Sequence, residues 1–67
     1  MILRVNGEDR QYPDEISDVG RLLEKLGIKA DRAAVEINGI ITDPKQFCRT
    51  QLHEMDKIEI ISFVGGG

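Results

Sequence analysis

From Asp18 to Gly27 the chain reads Asp-Val-Gly-Arg-Leu-Leu-Glu-Lys-Leu-Gly. Val19, Leu22, Leu23 and Leu26 fall at i, i+3, i+4 and i+7, the spacing that gathers apolar side chains into one stripe of a helix. Arg21, Glu24 and Lys25 cover the wet side. Ser17 reads as the N-cap and puts Asp18 in the first turn, where the helix dipole favours an anion. Gly27 stops the helix in the left-handed conformation, and Ile28 can fold back on it. The pattern predicts one amphipathic helix, roughly residues 18–26, with a single buried face.

Working outward, each flank of this helix carries a hairpin signal. Upstream, Ile2 to Asn6 alternates as a strand, with Leu3 and Val5 on one side and Ile2 and Arg4 on the other. Asn6-Gly7 supplies two residues that tolerate positive φ, and a second strand runs from Glu8 to Tyr12 before Pro13 ends it. Downstream, Ala33 to Asn38 turns Val35 and Ile37 inward, Asn38-Gly39 repeats the turn chemistry, and Ile40 to Thr42 returns. Asp43-Pro44 opens a loop or single helical turn that presents Phe47 to one end of the core, with Leu52 as a second plug. Lys57 to Val64 is the last strand. Ile58 and Ile60 share one face; Ile61 and Phe63 share the other. The class is α+β, a mixed sheet crossed by one helix.

Composition narrows the function. The chain has 67 residues, of which 40% are hydrophobic and 31% charged, so a single soluble domain with a small core is expected. Nine basic residues are scattered among twelve acidic ones for a net charge of −3, with no basic stripe to attract nucleic acid. No apolar run has membrane-spanning length and no basic-then-apolar leader is present, so a cytoplasmic protein without a membrane partner is expected. Cys48 is the sole cysteine and His53 the sole histidine. Neither belongs to a metal-ligand cluster, and there is no phosphate-binding or dinucleotide fingerprint. Cys48, beside Phe47, has two readings: a persulfide acceptor, or partial core or an inert surface thiol, of which the second is favoured. His53 and the acidic pairs Glu8-Asp9 and Asp14-Glu15 read as solvated. The chain is expected to undergo chemistry, not to catalyse it, and no metal and no bound cofactor are expected.

The chain ends Gly65-Gly66-Gly67 directly after a strong strand. Three glycines bury nothing and are costly to order, so they divide the chain into a domain over residues 1–64 and a flexible tail over 65–67. A tail without Cβ atoms can enter a narrow channel in extended form. Phe63 to Gly67 would reach on the order of 17 Å at about 3.4 Å per residue. Ile61 and Phe63 lie opposite the core face of the last strand, together with Ile2 on the first, and form a candidate partner surface beside the tail.

The order of elements looks like the ubiquitin-like β-grasp. Lys57-Ile58-Glu59-Ile60-Ile61-Ser62-Phe63-Val64-Gly65-Gly66-Gly67 closely resembles the C-terminus of the ThiS sulfur carriers of thiamine biosynthesis. Val35-Glu36-Ile37-Asn38-Gly39 resembles the family's middle strand and turn, and Leu3-Arg4-Val5-Asn6-Gly7 its start. One departure is Met55-Asp56, where relatives often carry Gly-Asp, which bears on the turn type before the last strand. The resemblance implies that Gly67 is the modified residue. A ThiF-like adenylating enzyme would consume ATP to activate its carboxylate. Sulfur from a donor such as a cysteine desulfurase would convert it to a thiocarboxylate, and a ThiG-like thiazole synthase would receive that sulfur. Phe63, Val64, Gly65 and Gly66 would occupy each partner's channel. A carrier for molybdopterin or another acceptor, a ubiquitin-like protein modifier, and an adaptor with an idle tail remain as alternatives, separated by the chemical state of the C-terminus.

Overall fold

The structure is a computed structural model and describes residues 1–63. Strand β1 (Ile2–Val5) forms an antiparallel hairpin with β2 (Glu8–Gln11), with Leu3 opposite Arg10 and Val5 opposite Glu8. Helix α1 (Val19–Leu26) crosses, and a one-turn 3-10 helix, Ala30–Arg32, leads into the second hairpin of β3 (Ala33–Ile37) and β4 (Ile40–Thr42). A second 3-10 segment, Pro44–Arg49, precedes β5 (Lys57–Ser62). The sheet order is β2-β1-β5-β3-β4, so the last strand lies between the two hairpins. It runs parallel to β1 and antiparallel to β3.

The helix follows its sequence pattern. Val19, Leu22 and Leu23 are fully buried against the sheet, and Leu26 packs at the edge of the core. Its start differs from the expectation by one residue: Asp18, not Ser17, is the N-cap, and its carboxylate accepts from the Arg21 N–H at 2.8 Å. The reason is that Ser17 is committed elsewhere. Its carbonyl accepts from the Leu52 N–H, and Asp18 forms a bridge to Gln51, which ties the chain before the helix to the segment before β5. The C-terminus closes as read, with Gly27 at φ 73°, its N–H bonded to the Glu24 carbonyl and the Ile28 N–H to that of Leu23.

The core is one cluster. Leu3 and Val5 of β1, Ala33 and Val35 of β3, and Ile58 and Ile60 of β5 meet the helix stripe, while Tyr12, Phe47 and Leu52 close the ends. Phe47 reaches the core from the Pro44–Arg49 turn, whose start is fixed by the Asp43 carboxylate accepting from the Lys45 N–H. The Ala30–Arg32 turn was not legible in the sequence. The last strand, expected to run to Val64, ends at Ser62, with Phe63 already past its end and held by a hydrogen bond to the Arg32 carbonyl, while Val64 and the expected mobility of Gly65 to Gly67 lie outside the described residues.

Both hairpins turn on Asn-Gly pairs with positive φ at each residue: Asn6 at 50° and Gly7 at 83°, Asn38 at 51° and Gly39 at 86°. Met55 is the third non-glycine residue in this region, at φ 67°. It sits in the turn before β5. Asp56 holds that turn, its carboxylate accepting from the His53 N–H at 2.8 Å and from the Asn38 side-chain amide at 3.0 Å, and the turn survives with methionine in a left-handed conformation. A Cβ there costs about 1 kcal/mol. Met55 is largely exposed, so little burial is lost on truncation. Met55→Gly is therefore expected to be more stable than Met55→Ala by about 1 kcal/mol, equivalent to roughly 4–8 °C in melting temperature for a domain of this size. Parallel urea and thermal melts of the two variants check this; equal stability would mean that the turn is not strained.

Candidate functional site: the outer face and the end of the last strand

Strand β5 divides its side chains between two environments. Ile58 and Ile60 point under the helix and are 0% and 7% exposed, whereas Ile61 and Phe63 point away and are 60% and 58% exposed. The alternation is the one read from the sequence. The helix covers only one face of the sheet, and the outer face is open to solvent. Register places Ala34 opposite Ile61, with Ile41 one strand further out across Glu36, and Ile2 of β1 shares this face. Ile61, Ile41 and Ala34 line a shallow depression of about 130 Å³.

The electrostatics of this face are uneven. Glu36 and Glu59 stand directly opposite each other on β3 and β5, within the same depression as Ile61. Like charges in directly opposed positions repel, so the pair lowers the stability of the free sheet. Toward β2 the charges are paired instead. Arg4 Nε donates to Asp9 Oδ1 at 2.8 Å, which raises the guanidinium pKa and holds the Asp9 carboxyl below the ordinary carboxylate range. On the other face of β2, where Arg10 and Glu8 stand across from Leu3 and Val5, Arg10 donates to Glu8 at 2.7 Å, and this hydrogen bond raises the Arg10 pKa. Glu8 and Asp9 are thus solvated, as expected, but each has an arginine partner on the surface, where such pairs contribute little to stability.

The end of β5 is held from both sides. The Phe63 N–H donates to the Arg32 carbonyl at 2.7 Å on the β3 side. On the β1 side the Asn6 N–H donates to the Ile58 carbonyl at 2.9 Å. The Asn6 side chain then bonds Ile60 twice, its Oδ1 accepting from the Ile60 N–H at 2.7 Å and its Nδ2 donating to the Ile60 carbonyl at 3.2 Å. Sequence reading assigned Asn6 only to the turn. The signal available was the choice of asparagine, since aspartate or glycine also serves such a turn but neither offers both a donor and an acceptor. The other singled-out positions stay apart from this end of β5. Cys48 is exposed and so is a surface thiol, its sulfur 3.0 Å from where a Cβ on Gly20 would lie. His53 is exposed, with Nδ1 3.8 Å from the Asp56 carboxylate. Among the described residues no three of His, Cys, Asp and Glu converge as metal ligands, and no helix is long and apolar enough to cross a membrane. A groove of about 670 Å³ between α1 and the Pro44–Arg49 turn includes neither Ile61 nor Phe63. Val64, Gly65, Gly66 and Gly67, the candidate channel segment and modified residue, lie outside the described residues.

Among the described residues, a mixed five-stranded sheet with one α-helix across one face and the last strand at its centre defines a ubiquitin-like β-grasp protein. Residues 3–67 match the model of the ThiS family, and the chain belongs to that family. The crystal structure of the thiamine biosynthesis protein ThiS from Geobacter metallireducens superimposes with a TM-score of 0.82 at 33% identity, over 100% of both chains. The sulfur carrier protein ThiS of Bacillus subtilis is 30% identical over 66 residues, covering 98% of this chain and 100% of that protein. A thiazole synthase of Paramagnetospirillum magneticum is 36% identical over 67 residues, which is 100% of this chain but only 20% of that protein.

Because the outer face adds nothing to the core, replacement there is expected to be cheap. Ile61→Lys should change unfolding free energy by no more than about 0.5 kcal/mol, while Ile60→Lys, one residue away, should prevent folding by burying an unpaired charge. Urea titration of both decides it, and a comparable loss in the two would place Ile61 in the core.

Proposed function

We propose that this chain is a sulfur carrier for thiazole formation in thiamine biosynthesis, with the Gly67 carboxylate as the site that is activated and loaded. Membership of the ThiS family over residues 3–67 is the observation that carries this reading. It is supported by the relation to the sulfur carrier of Bacillus subtilis, and by a thiazole synthase in which a segment similar to this chain makes up 20% of the polypeptide. A carrier-like segment within the same protein as the acceptor is what direct delivery of sulfur would favour, since tethering raises effective concentration. The chain acts as substrate and handle, and catalysis belongs to its partners.

The chemistry starts from the carboxylate. Ionised at neutral pH, it is a poor electrophile. A ThiF-like enzyme transfers AMP from ATP to it and releases pyrophosphate, giving an acyl-adenylate. The terminal sulfur of a donor persulfide, supplied by a cysteine desulfurase, attacks the acyl carbon and AMP leaves. A second thiol cleaves the resulting S–S bond, becoming part of a disulfide, and the transferred sulfur remains on Gly67 as a thiocarboxylate. A ThiG-like thiazole synthase then takes that sulfur. No metal or cofactor held by this chain enters the sequence; ATP is consumed by the partner. Docking rests on the outer face: Ile61 and Phe63 offer apolar area beside the tail, and the opposed Glu36 and Glu59 fit a basic partner group that would relieve their repulsion. Phe63 to Gly66 would lie in the partner's channel, where the side-chain-free end lets the carboxylate reach the nucleotide.

Loading should fail when the terminus is altered by one residue. Deleting Gly67 draws the carboxylate back by about 3.5 Å, beyond the tolerance of in-line attack, and extending the chain replaces it with an amide. The assay incubates wild type, the deletion and the extension with ATP, the adenylating enzyme and a persulfide donor, and follows C-terminal mass. Wild type should gain sulfur, both variants should not, and their thermal melts should match wild type. In the same assay Ile61→Lys should raise KM with little change in kcat. Equal loading of truncated and intact protein would overturn the proposal.

A further inference from the structure

We propose that Asn6 is a positioning residue for loading, an inference that rests on the sulfur-carrier reading. Strand β1 pairs with β5 only at Arg4–Lys57 and Val5–Ile58, because the chain turns away at Asn6-Gly7. In an extended strand the N–H and C=O of alternate residues face the same edge. On β5 the residues facing β1 are Ile58, Ile60 and Ser62. Ile58 is met by the Asn6 backbone; Ile60 is met by the Asn6 side chain through two bonds. The carboxamide copies the donor and acceptor of a peptide group and so extends β1 by one residue that the backbone does not supply. Beyond it, Ser62 has no partner on this edge among the described residues.

This added rung matters because it is the last support on the β1 edge before the chain end. Gly67 lies seven residues beyond Ile60, and the intervening chain ends in three glycines with no side chains to steer it. The direction of the chain up to Phe63 is set by the last peptides held on each edge of β5: Phe63 by Arg32 on one side, Ile60 by Asn6 on the other. Without the carboxamide, support on the β1 side retreats two residues to Ile58, and the final part of β5 hangs from β3 alone. Docking through the outer face would be intact, but the carboxylate would be presented over a wider range of directions. A misplacement near 1 Å at a reacting group costs up to about a hundredfold in rate.

The opposite hairpin provides an internal control. Asn38 occupies the equivalent turn position, and its side chain bonds the Lys57 N–H and Asp56 at the far end of β5. Asn6→Gly and Asn38→Gly both keep the positive φ and both remove two side-chain hydrogen bonds, so only the affected end of β5 differs. Asn6→Asp keeps the acceptor for the Ile60 N–H and guards against a fold loss specific to Gly. The experiment measures loading kinetics of these variants with ATP, adenylating enzyme and persulfide donor, beside thermal melts and amide exchange at Ile60. The expected result is a fall in kcat on the order of tenfold for Asn6→Gly at unchanged KM, a smaller fall for Asn6→Asp, wild-type kinetics for Asn38→Gly, and faster Ile60 exchange in Asn6→Gly but not in Asn38→Gly. Equal kinetics for Asn6→Gly and Asn38→Gly, or a loss carried by KM alone, would overturn the inference. If Asn6→Gly does not fold, the same two outcomes are read from Asn6→Asp. Absence of loading in wild type itself would instead remove the carrier reading, and this inference with it.

Discussion

The insertion of β5 between the two hairpins is the constraint on which the rest depends. Neither hairpin pairs with the other; each pairs with β5, on opposite edges. An isolated two-stranded hairpin is marginal in water, so the sheet exists only once the last strand of the chain is in place. Ile58 and Ile60 then meet Leu3, Val35 and the helix stripe, and the core closes. The same insertion puts the end of β5 at the middle of the sheet, not at its rim, with neighbours bonded to it on both sides.

From that placement the division of labour arises by the pleat alone. One face of β5 stabilises the fold, and the other is left free beside the residues that lead to Gly67. A protein that is handed between partners needs a surface that can be occupied and vacated without unfolding, and Ile61, Phe63, Ile2 and Ile41 lie where their contacts contribute little to the core. The opposed Glu36 and Glu59 fit the same logic. They are unfavourable in the free sheet and become favourable opposite a cation.

Much of this was legible because it rests on local periodicity. The helix stripe, the two Asn-Gly turns and the alternation of β5 each depend on short spacings, and the structure follows them. The resemblance of the last strand and tail to the ThiS family supplied what spacing could not, namely the chemistry proposed for the terminus. The features that escaped the sequence were long-range. The N-cap passed from Ser17 to Asp18 because the Ser17 carbonyl is bonded to Leu52, far along the chain. The left-handed Met55 was hidden because methionine carries no turn signal; the conformation is imposed by Asp56, Asn38 and the Ile2 carbonyl around it. The Ala30–Arg32 turn has no periodic signature. The Asn6 carboxamide reaches a residue 54 positions away, a contact that only the parallel pairing of β1 with β5 creates.

The central claim is that Gly67 carries sulfur in the cell. Intact-mass measurement of the chain isolated from its own host, while thiazole is being made, tests it most directly. The account predicts a population heavier by the replacement of one oxygen with sulfur, with the change localised by fragmentation to the terminal glycine. A terminus found only as the free carboxylate, or joined through an isopeptide bond to another protein, would contradict it.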